Sequence, residues 1–196
     1  NFYCVDNEAT KTVNTEDFEE YCNLRDSDKS YKIYKNCKRK WMNDSDDTRG
    51  SSGIHIPWPN ISNEFFKEVL EDAKEGESPN NLSPIIQYNS AGGAKFLWMG
   101  DLETEFMADI ESDVYMPDID ILFAPHHGRD SGKIPESWLK QISPKLIIIG
   151  EAPSEHLNYY KGYETITQNS AGDITFEVEK GKVHIYVSNE NYSVSF

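Results

Sequence analysis

The chain of 196 residues contains no run approaching ~20 consecutive apolar residues, so no segment has the length of a membrane-spanning helix. Its cysteines number only three, Cys4, Cys22 and Cys37, all within the first 40 residues and at spacings that make no zinc motif. A sparse, odd count argues for free thiols in a reducing compartment, and a cytoplasmic location is expected. Cations are short as well: 19 Lys and Arg stand against 34 Asp and Glu, a formal net charge of -15. Phosphate neutralisation dominates nucleic-acid affinity, so this balance argues against a protein that grips nucleic acid over its whole surface. Histidine, the commonest metal ligand, occurs only at His55, His126, His127, His156 and His184. No internal repeat or low-complexity tract is present.

What is there centres on residues 95–128. An apolar run, Phe96-Leu97-Trp98-Met99, ends at Gly100-Asp101, and a second run over residues 119–124 ends at Pro125-His126-His127-Gly128. Each has the length and flanking turn residues of a buried strand, and each delivers a potential metal ligand to a strand end. Side by side, two such ends place Asp101 and a histidine in one cleft, the usual location of a site in a layered α/β protein. Taken singly, an Asp after a strand is an ordinary turn or cap residue. It is the shared architecture of the two segments that points to a metal or acid/base site.

These motifs, GDLE at residues 100–103 followed by the D-I-D-x-L-x-x-x-HHG pattern at 118–128, resemble the second half of a metallo-β-lactamase-fold hydrolase. The subgroup is the nuclease-like domain of ComEC-type competence proteins and their stand-alone relatives. The similarity extends over about residues 54–178. It includes Asn80-Asn81-Leu82-Ser83 before an apolar run, Ser143-Pro144-Lys145 before another, His156 as a late histidine, and a closing turn at residues 169–174. The resemblance implies an α/β chain, the four-layer αββα arrangement, here mainly its C-terminal half. Residues 54–196 form that half and residues 1–53 a connecting strand and helix region of the same domain.

The resemblance further implies metal ligands and catalytic residues at Asp101, His126, His127 and His156, with Asp101 bridging two divalent ions, Zn or Mn. Which of His126 and His127 would ligate is open, and the other would hydrogen-bond substrate or support a ligand. Glu103 is expected as a supporting partner or helix cap, and Arg129 or Ser131 as a phosphate contact. The family's first metal motif, HxHxDH, has no counterpart among the five histidines. Because the chain starts at Asn1, it is expected to be the C-terminal portion of a longer protein, whose preceding half or another chain completes the site. The alternative is a degenerate homologue that never bound metal.

The remaining elements are expected as follows: a strand over residues 1–5, a helix capped by Thr15 that resumes over 29–42, and a loop over 43–53. A strand at 54–56, ended by Pro57 and Pro59, precedes a helix with the apolar face Phe65, Phe66, Val69, Leu70 and Ala73. Hairpins are expected over 84–99 and 173–188, a helix over 104–112, another over 135–142, a buried strand over 145–149 and an edge strand over 192–196. The one basic concentration, Lys29, Lys32, Lys35, Lys38, Arg39 and Lys40, has the spacing of a helical face. It reads as a solvated flank, or as a phosphate-tracking patch beside Tyr31 and Tyr34.

Two functions follow: a metal-dependent phosphodiester hydrolase acting on nucleic acid or a nucleotide, or a catalytically inactive binding or regulatory module of the same fold.

Overall fold

The computed structural model describes residues 1–116, 118–152 and 158–193. The chain is mixed α/β, built on a six-stranded mixed sheet. In chain order its strands are β3 (Ile54–Trp58), β4 (Ile85–Asn89), β5 (Lys95–Trp98), β6 (Ile121–Phe123), β7 (Leu146–Ile149) and β8 (Thr165–Thr167). They lie side by side in the same order. β3, β4 and β5 are antiparallel neighbours, whereas β5 through β8 run parallel. Parallel neighbours need crossover connections. The helices α2 (Glu64–Glu75), α3 (Thr104–Asp109) and α4 (Glu136–Ile142) account for the periodic segments between the strands.

Alternation along the strands divides the core in two. Leu97, Leu122, Ile147 and Ile149 pack with Phe66, Phe106, Met107, Trp138 and Leu139 of the helices on one face. Phe96, Ile121, Ile148 and Ile166 face the other way and meet the hairpin of β9 (Ile174–Glu179) and β10 (Lys182–Val187). All four residues of β7 are buried, as its unbroken apolar run requires of a central parallel strand. The hairpin alternates half-buried and exposed residues instead, because only one of its faces is covered. Its two strands turn at Lys180-Gly181, and Gly181 has φ +78°.

Asp120 joins the leading ends of three parallel strands. Its carboxylate accepts from the Lys95 backbone N–H at 2.8 Å and lies 2.6 Å from Lys145 Nζ. Its backbone carbonyl accepts from the N–H groups of Lys145 and Leu146 at 3.1 and 3.0 Å. These bonds fix the register of β5, β6 and β7.

Several expectations need correction. The helix expected over 29–42 does not form. Ser30–Lys32 is instead strand β2, parallel to β1 (Phe2–Cys4), and turns follow it. β-branched and aromatic residues alternate with the lysines here, and Ile33 and Cys37 are buried against the large sheet rather than along a helix stripe. The expected helix start is found as α1 (Glu16–Arg25), with the Thr15 hydroxyl accepting from Phe18 N–H at 3.2 Å.

Pro57 does not end β3 but lies within it, at an irregularity between His55 and Trp58. A proline is tolerated there because β3 is the sheet's edge strand. β8 and the short helix α5 (Gln168–Ala171) have no expected counterpart. Tyr192 and Ser193 are not in a strand, and residues 194–196 lie outside the described residues. No described helix is long and apolar enough to cross a membrane.

Burial pushes the Tyr160 phenol up from 10.0 to about 12, offset only in part by the backbone of Ile134. A raised folded value means that this group's contribution is intact below pH 10 and is lost as pH rises toward 12. We expect a stability loss on the order of 2–3 kcal/mol across that window, and expect Tyr160→Phe to abolish this part of it. Urea unfolding of both proteins as a function of pH is the measurement.

Candidate functional site

β5 and β6 run parallel with Trp98 opposite Phe123, so the turn at Gly100-Asp101 and the turn at residues 125–128 leave the sheet at the same end. Carboxyl ends of parallel strands are where open α/β sheets bind ligands. The two turns are bonded to each other, with His126 N–H donating to the Gly100 carbonyl at 2.9 Å.

His126 and His127 both sit in the left-handed region, at φ 48° and 58°, followed by Gly128 at 86°. Such a conformation costs about 1–3 kcal/mol for a side-chain-bearing residue and persists only where neighbours hold it. Arg129 N–H closes the turn on the His126 carbonyl at 3.0 Å, and the Thr104 hydroxyl holds the following loop through the Lys133 carbonyl at 2.7 Å. A Cβ on Gly132 would lie 2.5 Å from His126 Cβ, so that glycine is required by the turn's close approach.

The Asp101 side is built from the segment before β4. Asp101 N–H donates to Ser83 Oγ at 2.9 Å. Gly100 adopts φ +55° in a space where its Cβ would meet Ser83 at 2.5 Å, so both the conformation and the contact demand glycine. Glu103, in the N-cap position of α3, takes side-chain N–H groups of Asn80 and Asn81 at 3.1 and 3.3 Å, and its own N–H donates to Asn81 Oδ1 at 2.9 Å. Glu103 thus ties the turn to the segment before β4.

His127 Nε2 lies 3.8 Å from Asp101 Oδ1, with both side chains about half exposed. That is too long for a hydrogen bond. His126 takes a different role: its Nδ1 is 3.0 Å from Ser131 Oγ, and the two imidazole rings are 6.5 Å apart. Ser131, expected as a phosphate contact, is hydrogen-bonded to His126 and orients it.

His156 lies outside the described residues. His55 lies on β3 opposite Gln87, and His184 lies on the hairpin, 3.8 Å from Glu179; neither is placed with Asp101. Among the described residues no group of three His, Cys, Asp or Glu side chains converges. Sequence reasoning missed the supporting roles of Asp120 and Thr104, whose side chains act on segments remote in the chain. Asn80, Asn81 and Ser83 were legible only as part of a motif.

Zinc lies about 2.0–2.2 Å from imidazole nitrogen and carboxylate oxygen, so two donors on one tetrahedral ion are ~3.4 Å apart. The separation of 3.8 Å between His127 and Asp101 is a few tenths of an ångström wider, so one ion fits between them with a small side-chain shift. Two protein donors leave the other coordination positions to water, substrate or groups beyond the described residues.

No protein-family model matches the chain, and a search of curated proteins finds no match.

Gly132→Ala is expected to destabilise the fold by about 1–3 kcal/mol, because the added methyl meets both His126 Cβ and the Pro125 backbone. Denaturant unfolding measures the loss. An unchanged midpoint would show that the two turns are not packed as described.

Proposed function

We propose that the chain is part of a metal-dependent hydrolase of the metallo-β-lactamase type, acting on phosphodiester bonds. The observation that carries this reading is the Asp101–His127 pair, brought to 3.8 Å at the ends of adjacent parallel strands. The two turns that deliver it are locked by Ser83, Glu103, the Gly100 carbonyl and Thr104. The resemblance of the GDLE and HHG segments to that family's second half supports the same reading.

In this reading Asp101 and His127 hold a divalent ion, Zn or Mn, and His126 stands beside it with its ring set by Ser131. The ion, when bound, supplies an activated hydroxide and polarises a phosphoryl oxygen. The chain's own residues supply position. The left-handed His126-His127 turn aims the second imidazole at Asp101, while the Ser83 bond holds the Asp101 backbone. The remaining ligands, including those of a second ion, come from outside the described residues; His156 is one candidate.

The runner-up, an inactive binding or regulatory module, draws support from the pair's lack of a third His, Cys, Asp or Glu partner among the described residues. A two-donor site binds weakly, so calorimetric titration of this chain with Zn²⁺ or Mn²⁺ is expected to give only weak binding. Two tightly bound ions per chain would refute the two-donor description. With millimolar Mn²⁺, hydrolysis of an activated aryl phosphodiester is expected to be suppressed by chelator. It should fall by at least about 100-fold in Asp101→Ala, with the circular dichroism spectrum unchanged. Undiminished hydrolysis in that variant would overturn the enzyme assignment of Asp101.

A further inference from the structure

Residues 29–43 hold six Lys and Arg and no Asp or Glu, in a chain that carries 34 acidic residues among 196. The structure folds this segment into a groove rather than a helix face. The groove has a volume of about 770 Å³, within the range of small-molecule sites. Tyr3, Tyr31 and Trp41 form its aromatic wall, Lys38, Arg39 and Lys40 its cationic rim, and isoleucines of β3 and β4 its floor. Among the described residues no carboxylate lines it, although Lys40 of the rim is paired with Asp46.

The aromatic wall is preorganised. Tyr3 and Tyr31 stack with ring centres 5.8 Å apart, and the Arg39 guanidinium lies over both and donates to Tyr3 Oη at 2.6 Å. Lys40 and Arg49 stand 5.0 and 5.2 Å from the Trp41 ring centre. Trp41 takes φ +69°, an unusual conformation for a bulky residue, held by backbone bonds to Asp44 and from Ser52. Tyr3, Tyr31 and Trp41 nevertheless each remain about 40% exposed, so ring surface faces solvent. Lys38 makes no ion pair or hydrogen bond among the described residues, whereas Lys40 is tied to Asp46 and Lys35 to the Asp113 carbonyl.

From this arrangement we propose that the groove binds a nucleotide unit, its base laid on the Trp41 ring and its phosphate taken by Lys38 and Arg39. A flat π-system with an attached anion is the ligand that an apolar floor, stacked rings and a cationic rim jointly fit. Charge alone would attract any polyanion, and rings alone any apolar ring; the two together select nucleotides. The unit belongs to a free nucleotide or to a single strand.

The groove floor includes Ile86 of β4, three residues after Ser83 in the chain, and Ser83 bonds the Asp101 backbone. The groove therefore lies on the order of 10 Å of backbone from the Asp101 turn. The inference rests on the phosphodiesterase reading only in giving it a class of substrate, since groove binding needs no metal.

The test is fluorescence anisotropy of a labelled oligothymidylate of about eight nucleotides, at low salt and with chelator present, so that failed hydrolysis cannot affect it. AMP serves as competitor and polyglutamate as a base-free polyanion. Binding is expected to weaken about 5- to 150-fold in Trp41→Ala. In Lys38→Glu it should weaken at least about tenfold, with the salt dependence reduced by about one unit of log–log slope. Circular dichroism checks both folds, and Lys38 is an exposed side chain whose replacement leaves the groove's packing intact.

Displacement by AMP identifies a free nucleotide as a sufficient ligand, and binding of the oligonucleotide without displacement identifies a strand. Either outcome supports the groove. No binding, binding unchanged in both folded variants, or polyglutamate bound as tightly as the oligonucleotide would each overturn it.

Discussion

The parallel register of β5, β6 and β7 is the constraint on which everything else rests. Asp101 lies three residues beyond Trp98, and His127 four beyond Phe123, and those two strand residues stand opposite each other. A slip of one residue would move each turn by about 3.3 Å and turn the core face outward. The 3.8 Å separation of Asp101 and His127 would not survive it. The register is held at the other end of the strands by Asp120, whose side chain and carbonyl tie Lys95, Lys145 and Leu146 together. A single carboxylate at the opposite end of the strands thus fixes where Asp101 and His127 meet.

The pair of turns itself is held chiefly by backbone bonds. Its two turns are joined by His126 N–H and the Gly100 carbonyl, and glycine at 100 and 132 admits contacts that any side chain would block. Left-handed histidines are tolerated because hydrogen bonds surround them on both sides. Strain of this kind is worth its cost where it re-aims a side chain. Here it separates the two imidazoles, one toward Asp101 and one toward Ser131.

The sheet's two faces are finished differently. Helices cover one face, while the other meets the β9–β10 hairpin toward β8 and the N-terminal β1–β2 segment toward β3. Between those covers Tyr88, Trp98 and Phe123 stay only partly buried, with Trp98 and Phe123 stacked at 4.6 Å. The groove lies on the β3 side. In a chain of formal charge -15, gathering six of its 19 Lys and Arg in residues 29–43 gives anions a favoured place to approach.

Much of the fold was legible because its signals are local. Continuous apolar runs gave β5, β6 and β7, Asn63 and Thr15 marked helix starts, and Gly181 marked the closing hairpin. The short β8 was not legible, since Thr-Ile-Thr carries too little periodicity to stand apart from a loop. The basic segment was misjudged as helical because lysines every third residue mimic a helix face. Burial of Ile33 and Cys37 against the sheet overrode that pattern.

By itself, the sequence determined which residues carry ligand chemistry and that Asp101 and the histidine pair terminate strands, since strand ends follow from apolar run length and turn residues. Only the tertiary structure decided that β5 and β6 are parallel neighbours, that His127 rather than His126 faces Asp101, and that scattered cations and rings enclose a groove. Those outcomes depend on pairing and burial between segments far apart in the chain. Local propensity carries no record of them.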